Sequence, residues 1–199
     1  VTAPADGPVA EINGKQYDTF ADAVAAIQEE NTLTIKLLQN CESSSFAIPL
    51  EANITLYLNG CTLDLGSGRY GITMKADSTF TLADSAGGGV LKFCTQNSKG
   101  AAIYSDGSSQ TINIQGGTVD MTSTETNTFY AVRATGPVTI SGGTVKASKL
   151  DSIYAKPIAV GANSGTLNIT GGTIVAERKA GGTSDGAIGI EFTAACTAN

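Results

Sequence analysis

Acidic and basic side chains are few in this sequence, and the ones that recur at equivalent places alternate in sign. Asp64, Lys92, Asp120 and Lys146 follow one another along the chain in that order. Glycoside hydrolysis needs two carboxylates ~5–5.5 Å apart for retention or ~6.5–9.5 Å apart for inversion. If equivalent residues stack, Lys92 separates the two acids, and each acid has a lysine neighbour. We interpret the four residues as a charge ladder that holds the register of stacked strands, rather than as a catalytic pair.

Elimination chemistry on a polysaccharide would need a lysine or arginine base beside acids that bind calcium. Arg133 and Lys146 are available as bases, but no group of three acids gathers near either one in the sequence. The chain has no histidine, which excludes Ser-His-Asp and Cys-His nucleophiles. We therefore predict no catalytic residue, no metal site and no cofactor.

Four tyrosines are candidates for binding a glycan, because an exposed aromatic side chain offers an apolar ring and a polar edge. Tyr57 should point outward between two leucines, and Tyr104, Tyr130 and Tyr154 lie in or near a recurring apolar run. We predict that these rings are exposed and that they form the binding site. Ordinary packing is the alternative for each ring, and a cluster of them on one face would favour binding.

A repeated unit supplies the elements that must position these side chains. Its clearest part is a pair of small residues, a threonine and a short alternating run: GCTLDL at 60–65, GGTVDM at 116–121, GGTVKA at 142–147 and GGTIVA at 171–176. Two further apolar runs, such as YAVR at 130–133 and VTIS at 138–141, precede it in each unit. Units this short cannot bury a face alone, so successive units must stack with equivalent strands in parallel. The predicted fold is an all-β, single-stranded parallel β-helix of about six to seven coils.

Alternation within each run assigns its residues to the inside or the outside of the coil. The predicted inward residues are Leu63, Leu65, Ile112, Ile114, Val119, Met121, Val138, Ile140, Val145, Ala147, Leu167 and Ile169. The threonines at 62, 118, 144 and 173 should form one outward column beside the charge ladder, which ends at Val175. The paired small residues before each threonine should make the bend where a side chain would clash with the next coil.

The cysteines are Cys41, Cys61, Cys94 and Cys196, and none of them forms a CxxC pair. When the coils are aligned, Cys41 and Cys61 fall on adjacent rungs, close enough for a disulfide. Cys94 and Cys196 are about four rungs apart, so we expect both to be free. A disulfide between Cys41 and Cys61 and two free thiols remain as alternatives.

The two ends of the chain differ from the repeat. Residues 1–10 read as a linker rich in small residues, and residues 11–199 as the β-helix domain. Between 18 and 31 we predict a helix with Thr19 as N-cap and an apolar stripe that covers the N-terminal end of the coils. No such cover is recognisable at the C-terminal end, where we expect continuation of the chain or end-to-end self-association. The chain begins at Val1, so we also expect that an upstream segment was removed.

Net charge limits the class of partner. The net charge is −6, the pI is near 4.6, and the 12 basic residues are scattered, which argues against nucleic acid as a ligand. No run approaches the ~20 apolar residues that a membrane-spanning helix needs.

Nearly the whole chain carries a resemblance to a known group of proteins. The run INGKQYDTFADAVAAIQEENTLTIKLLQN at 12–40, followed by ANITLYLNGCTLDL at 52–65, resembles the start of many extracellular proteins of anaerobic, gut-type Gram-positive bacteria. The later GGTV units are similar to the continuing coils of those proteins. The resemblance implies a right-handed, pectin-lyase-like β-helix that is secreted or attached to the cell wall, and it transfers no catalytic residue.

We therefore expect a non-catalytic, adhesin-like extracellular module that binds glycans or a host surface or matrix component. The alternative is a polysaccharide lyase or glycoside hydrolase, because the pectin-lyase-like fold hosts both activities.

Overall fold

The short apolar–polar–apolar runs form strands, and each strand pairs in parallel with the equivalent run of the next unit. A computed structural model describes residues 7–27, 31–181 and 186–194, together with the backbone of 196–198. The protein is an all-β parallel solenoid with three walls and about five turns. The six to seven coils expected from the sequence exceed this number because the first and last coils are incomplete; β4, for example, has only two residues (Cys41–Glu42).

The first wall is a nine-stranded sheet. In spatial order its strands are β2 (Lys15–Tyr17), β1 (Ala10–Ile12), β3 (Thr32–Leu37), β6 (Asn53–Tyr57), β9 (Thr79–Ala83), β12 (Thr111–Ile114), β15 (Val138–Ile140), β18 (Gly165–Ile169) and β21 (Cys196–Ala198). The β1–β2 hairpin is antiparallel and also pairs antiparallel with β3, whereas the strands from β3 onward are parallel.

The second wall contains the Gly-Gly-Thr repeat. Its six strands are β4, β7 (Thr62–Gly68), β10 (Val90–Thr95), β13 (Thr118–Ser123), β16 (Thr144–Lys149) and β19 (Thr173–Arg178). The predicted threonine column is interrupted, because Val90 pairs with both Thr62 and Thr118. The inserted turn before β10 reads Gly-Gly-Gly-Val, so valine stands where the other units have threonine.

The third wall also has six strands. They are β5 (Phe46–Ile48), β8 (Tyr70–Met74), β11 (Ala101–Tyr104), β14 (Thr128–Ala134), β17 (Lys156–Ala162) and β20 (Ile188–Phe192). In the last strand Ile190 and Phe192 occupy core positions opposite Val160 and Ala162, yet they are 37% and 45% exposed because this rung lies at the end of the sheet.

The core lies inside the three walls and consists of stacked columns of aliphatic residues, with Phe80, Phe93 and Phe129 of the wall strands among its fully buried side chains. Eleven of the twelve residues predicted to face inward are buried, and Ile169, in the next-to-last rung of the first wall, is partly buried. Period-two alternation therefore assigns the inner faces of the first and second walls correctly.

Helix α1 (Phe20–Ala26) follows the N-terminal hairpin. The hydroxyl of Thr19 accepts a hydrogen bond from the backbone N–H of Asp22 at 3.1 Å, which is the N-cap expected from the sequence. Phe20 and Ile27 are buried in the main core, and the Phe20 ring lies 5.7 Å from that of Phe46. The helix is shorter than the predicted 18–31, of which residues 28–30 lie outside the described part.

Among the described residues, no helix is long and apolar enough to cross a membrane.

Candidate binding site on the third wall

The charge ladder lies on the outer face of the second wall. Lys92 pairs in register with Asp64 on one side and Asp120 on the other, and Asp120 pairs with Lys146. The Lys92 Nζ donates to the Asp64 Oδ2 at 2.7 Å, and this hydrogen bond is the main reason why the pKa of Lys92 is raised. Lys146 forms an ion pair at 3.5 Å with Glu177, two residues beyond its partner Val175. The two aspartates are thus two rungs apart, with a lysine between them.

The cysteines of the first coils are close but not opposite each other. Cys41 pairs in register with Leu63, two residues beyond Cys61. Cys41, Cys61 and Cys94 are free thiols in the structure, and the side chain of Cys196 lies outside the described residues. Burial, followed by the nearby Cys61, raises the pKa of Cys41 to about 11, so this thiol is protonated at neutral pH.

The four candidate tyrosines do not share one environment. Tyr57 lies on the first wall, half-buried, with its hydroxyl 2.6 Å from the Oγ of Ser85. Tyr154 is 72% exposed in the turn before β17. Tyr104 and Tyr130 are both on the third wall, but Tyr130 is only 5% exposed. The expectation that Tyr130 is an exposed ring is therefore wrong, because neighbouring outward side chains cover it.

The third wall departs from simple alternation, and this departure creates the site. In β11, β14 and β17 two consecutive residues belong to the main core: Ala102–Ile103, Ala131–Val132 and Ala159–Val160. The residues on either side of each pair point outward and form two columns that converge. One column contains Tyr70, Ala101, Tyr130, Ile158 and Ile188, and the other Thr73, Tyr104, Arg133, Gly161 and Glu191.

Five side chains meet where these columns converge, and we call them the Arg–Tyr cluster: Arg69, Tyr70, Tyr104, Tyr130 and Arg133. The rings of Tyr70 and Tyr104 stack with centroids 4.0 Å apart and planes 4° from parallel. The Arg133 guanidinium lies over Tyr104 at 5.5 Å and over Tyr130 at 5.4 Å. Arg69 lies over Tyr70 at 5.1 Å. The cluster is a stack of rings with a guanidinium group toward each end.

This stack leaves no tyrosine face open for a sugar ring. A 4.0 Å gap admits no other group between Tyr70 and Tyr104, so the guanidinium groups lie over the opposite ring faces. What the cluster presents to a ligand is therefore its edges, which carry phenol O–H and guanidinium N–H groups. It is built for hydrogen bonding rather than for aromatic stacking.

Tyr130 forms the floor of the cluster. Its hydroxyl donates to Glu191 Oε2 at 3.0 Å, and Glu191 Oε1 pairs with Lys156 Nζ at 3.2 Å. Gly161 leaves room for the ring, since a Cβ there would lie 2.6 Å from two ring carbons. Burial and the charge of Glu191 raise the pKa of Tyr130 to about 12, although Arg133 acts in the opposite direction. The phenol is therefore a neutral donor at neutral pH.

The pKa of Tyr104 is raised for a similar reason. Burial is the largest cause, the neighbouring Tyr70 phenol is the next, and Arg133 partly offsets both. Tyr104 is therefore also neutral at neutral pH, and it can donate and accept hydrogen bonds but is a poor base.

The two arginines of the cluster have no acidic partner among the described residues. Arg133 is partly buried, and its Nε is buried without a hydrogen-bond acceptor while the guanidinium group lies over two rings. Arg69 is exposed, and its only described side-chain contact is with the Tyr70 ring. In contrast, Lys92 and Lys146 on the second wall each pair with an acid. The cluster therefore holds guanidinium donors that a ligand can use.

Only part of this cluster is predicted from the sequence. Tyr104 and Tyr130 are expected as binding residues and Arg133 only as an available base, whereas Arg69 and Tyr70 are not among the sequence-based candidates. The missing signal was the alignment of the third apolar runs, which places Tyr70 in the same column as Tyr130. Tyr57 and Tyr154 are not part of the cluster.

The fold and this site define a class rather than a family: a parallel β-solenoid with an arginine–tyrosine cluster on one outer wall. Comparisons of the chain with protein-family models, with curated proteins and with solved structures find no match.

Proposed function

We propose that this protein is a non-catalytic, extracellular surface module that binds a glycan on its third wall. The observation that carries the proposal is the Arg–Tyr cluster, in which the partly buried Arg133 holds guanidinium donors beside two neutral phenols and has no acidic partner among the described residues. Glycans are recognised by hydrogen bonds to hydroxyl and acid oxygens, and the edges of the cluster supply such donors. The extracellular location rests on the resemblance of the N-terminal motifs to those of secreted and cell-wall-attached proteins.

Binding fits the cluster better than chemistry does. The pKa of both Tyr104 and Tyr130 is raised, so neither phenol is poised to remove a proton at neutral pH. On the second wall Asp64 is bound by Lys92, and Asp120 lies between two lysines in register. A polysaccharide lyase or glycoside hydrolase therefore remains the second candidate, without an observation of its own.

The test compares two tyrosine variants on a panel of neutral and acidic polysaccharides. Tyr104→Ala should weaken binding of a retained glycan about tenfold or more, because it removes a phenol and the ring that holds Arg133 in place. Tyr57→Ala is the matched control, since Tyr57 is also half-buried but lies on the first wall. Affinity is measured by isothermal titration or biolayer interferometry.

The same incubations are assayed for new reducing ends and for unsaturated products. Retention without product is the expected result. Release of either product by the wild-type protein would replace the binding proposal with the enzyme alternative, and equal loss in both variants would remove the third wall as the site.

We further propose that the solenoid is right-handed and pectin-lyase-like, and that α1 is the cap of its N-terminal end. Phe20, the first residue of the helix, is buried against the first coil, so Phe20→Ala should cost about 3 kcal/mol and speed amide exchange in β3 before that in β13. Uniform exchange rates along the solenoid in the variant would contradict a capping role.

A further inference from the structure

The Arg–Tyr cluster is a locally basic site in an acidic protein. The chain carries a net charge of −6 and three arginines, Arg69, Arg133 and Arg178. Two of these three meet in the cluster, and neither has an acid partner among the described residues. Arginine is the side chain best suited to bind carboxylate or sulfate oxygens, because its planar group presents several N–H donors in a fixed geometry.

The acids nearest to the cluster are already engaged. Glu191 accepts from Tyr130 and pairs with Lys156, so its charge is shared with two donors. Asp106, whose charge acts weakly on Tyr104, accepts a hydrogen bond from the Gln110 amide at 3.3 Å. Neither acid lies within ion-pair distance of Arg133, so the guanidinium charge is left for a ligand.

The two guanidinium groups lie on opposite sides of the Tyr70–Tyr104 stack. Arg69 directly precedes β8, and Arg133 lies in β14, two rungs away and four register positions further along the strand. A ligand that crosses the edges of the stack would therefore meet one arginine on each side.

We propose that the Arg–Tyr cluster binds a linear acidic polysaccharide whose oxyanions are carboxylates or sulfate esters. Two oxyanions bind Arg69 and Arg133, and the sugar between them lies along the edges of the Tyr70–Tyr104 stack. This inference rests on the proposed glycan-binding function and adds the charge of the ligand.

The experiment uses two pairs of probes that differ only in charge. Hyaluronan oligosaccharides carry a carboxylate on alternate sugars, and their carboxyl-reduced form is the neutral twin. Keratan sulfate oligosaccharides carry sulfate without carboxylate, and their desulfated form is the second twin. We expect the full chain to bind at least one acidic probe about tenfold or more tighter than its twin. The pair that shows the difference identifies the oxyanion.

Variants then assign the charge preference to the cluster. Arg133→Gln should lower affinity for the preferred acidic probe to about that for its neutral twin. Lys15→Gln is the matched control, because it removes the same charge from a cation that lies 5.0 Å over the Tyr17 ring in the N-terminal hairpin. Since Arg133 is partly buried and its replacement could disturb folding, Arg69→Gln serves as a second variant. Arg69 is exposed, and its loss should cost about threefold in affinity for the acidic probe alone.

The outcomes separate this inference from the proposed function. Equal affinity for charged and neutral twins, with loss of both in Tyr104→Ala, would overturn the acidic ligand and leave glycan binding in place. Unchanged acidic preference in Arg69→Gln and in a folded Arg133→Gln would also overturn it. Failure of every polysaccharide to bind would overturn both proposals.

Discussion

Gly143→Ala is expected to lower the free energy of unfolding by about 2–5 kcal/mol. Gly143 is the second glycine of a Gly-Gly-Thr bend and has a φ of +71°, a conformation that costs an alanine about 1–2 kcal/mol. A Cβ at this position would also overlap the carbonyl oxygen of Gly117 in the neighbouring coil, well inside van der Waals contact. That oxygen is held in place, because it accepts a hydrogen bond from the backbone N–H of Thr144 at 2.8 Å. The clash therefore adds an overpacking cost of about 1–3 kcal/mol.

Gly87→Ala is the matched control. Gly87 has a similar φ of +80°, but a Cβ there would meet nothing within 4 Å. Only the conformational cost of about 1–2 kcal/mol should appear. Urea denaturation of both variants, followed by circular dichroism, measures the difference. Equal destabilisation would show that the left-handed conformation alone, and not the stacking of coils, requires glycine in the bend.

Phe93→Ala is expected to cost about 3–5 kcal/mol, the usual range for a buried phenylalanine. The Phe93 ring is fully enclosed in the middle of the solenoid and packs toward the backbone of Gly68 and Gly71 in the preceding coil. Backbone held in parallel ladders on both sides cannot collapse into the space that the ring leaves, so most of the cavity cost should remain.

Phe192→Ala controls for the loss of an aromatic residue in general. Phe192 also occupies a core position, but it lies in the last rung and is 45% exposed. Its replacement should cost less than about 1.5 kcal/mol, because little apolar surface leaves water there on folding. The measurement is the same urea titration. A cost for Phe93→Ala no greater than that for Phe192→Ala would contradict a continuous core through the stacked coils.

The sequence was informative wherever a period of two continues without interruption. In the first and second walls the residues that face inward alternate with outward ones over most of each repeated run, although Thr81 of β9 and Ser148 of β16 are buried as well. The inward residues and the order Asp64, Lys92, Asp120, Lys146 can therefore be predicted from the sequence. Parallel stacking then follows, because units of this length bury their apolar face only against one another.

The third wall could not be predicted in the same way. Its strands place two consecutive residues in the core, such as Ala131 and Val132. A strict period of two therefore assigns the residues after such a pair to the wrong face of the strand. The burial of Tyr130 and the stacking of Tyr70 on Tyr104 depend on the convergence of the two outward columns. That convergence is a property of the bend in the strand, and single apolar runs such as YAVR do not reveal it.

The contrast between the two outer walls is what connects the fold to a function. On the second wall each lysine of the charge ladder forms an ion pair with an acid. These ion pairs stabilise the register of the strands and leave little uncompensated charge for a ligand. On the third wall the arginines rest on tyrosine rings and keep donors free. The lysines of the charge ladder on the second wall thus have acidic partners, whereas the arginines of the cluster on the third wall have none among the described residues.

Mapping a bound glycan by amide NMR tests the central claim most directly. The protein is titrated with a polysaccharide fragment that it retains, and the shifted backbone amides are placed on the three walls. We expect the largest changes at Arg69, Tyr70, Tyr104 and Arg133 and in strands β8, β11 and β14. Changes centred on Asp64, Lys92 and Asp120 of the second wall, or on Tyr57 of the first, would contradict it.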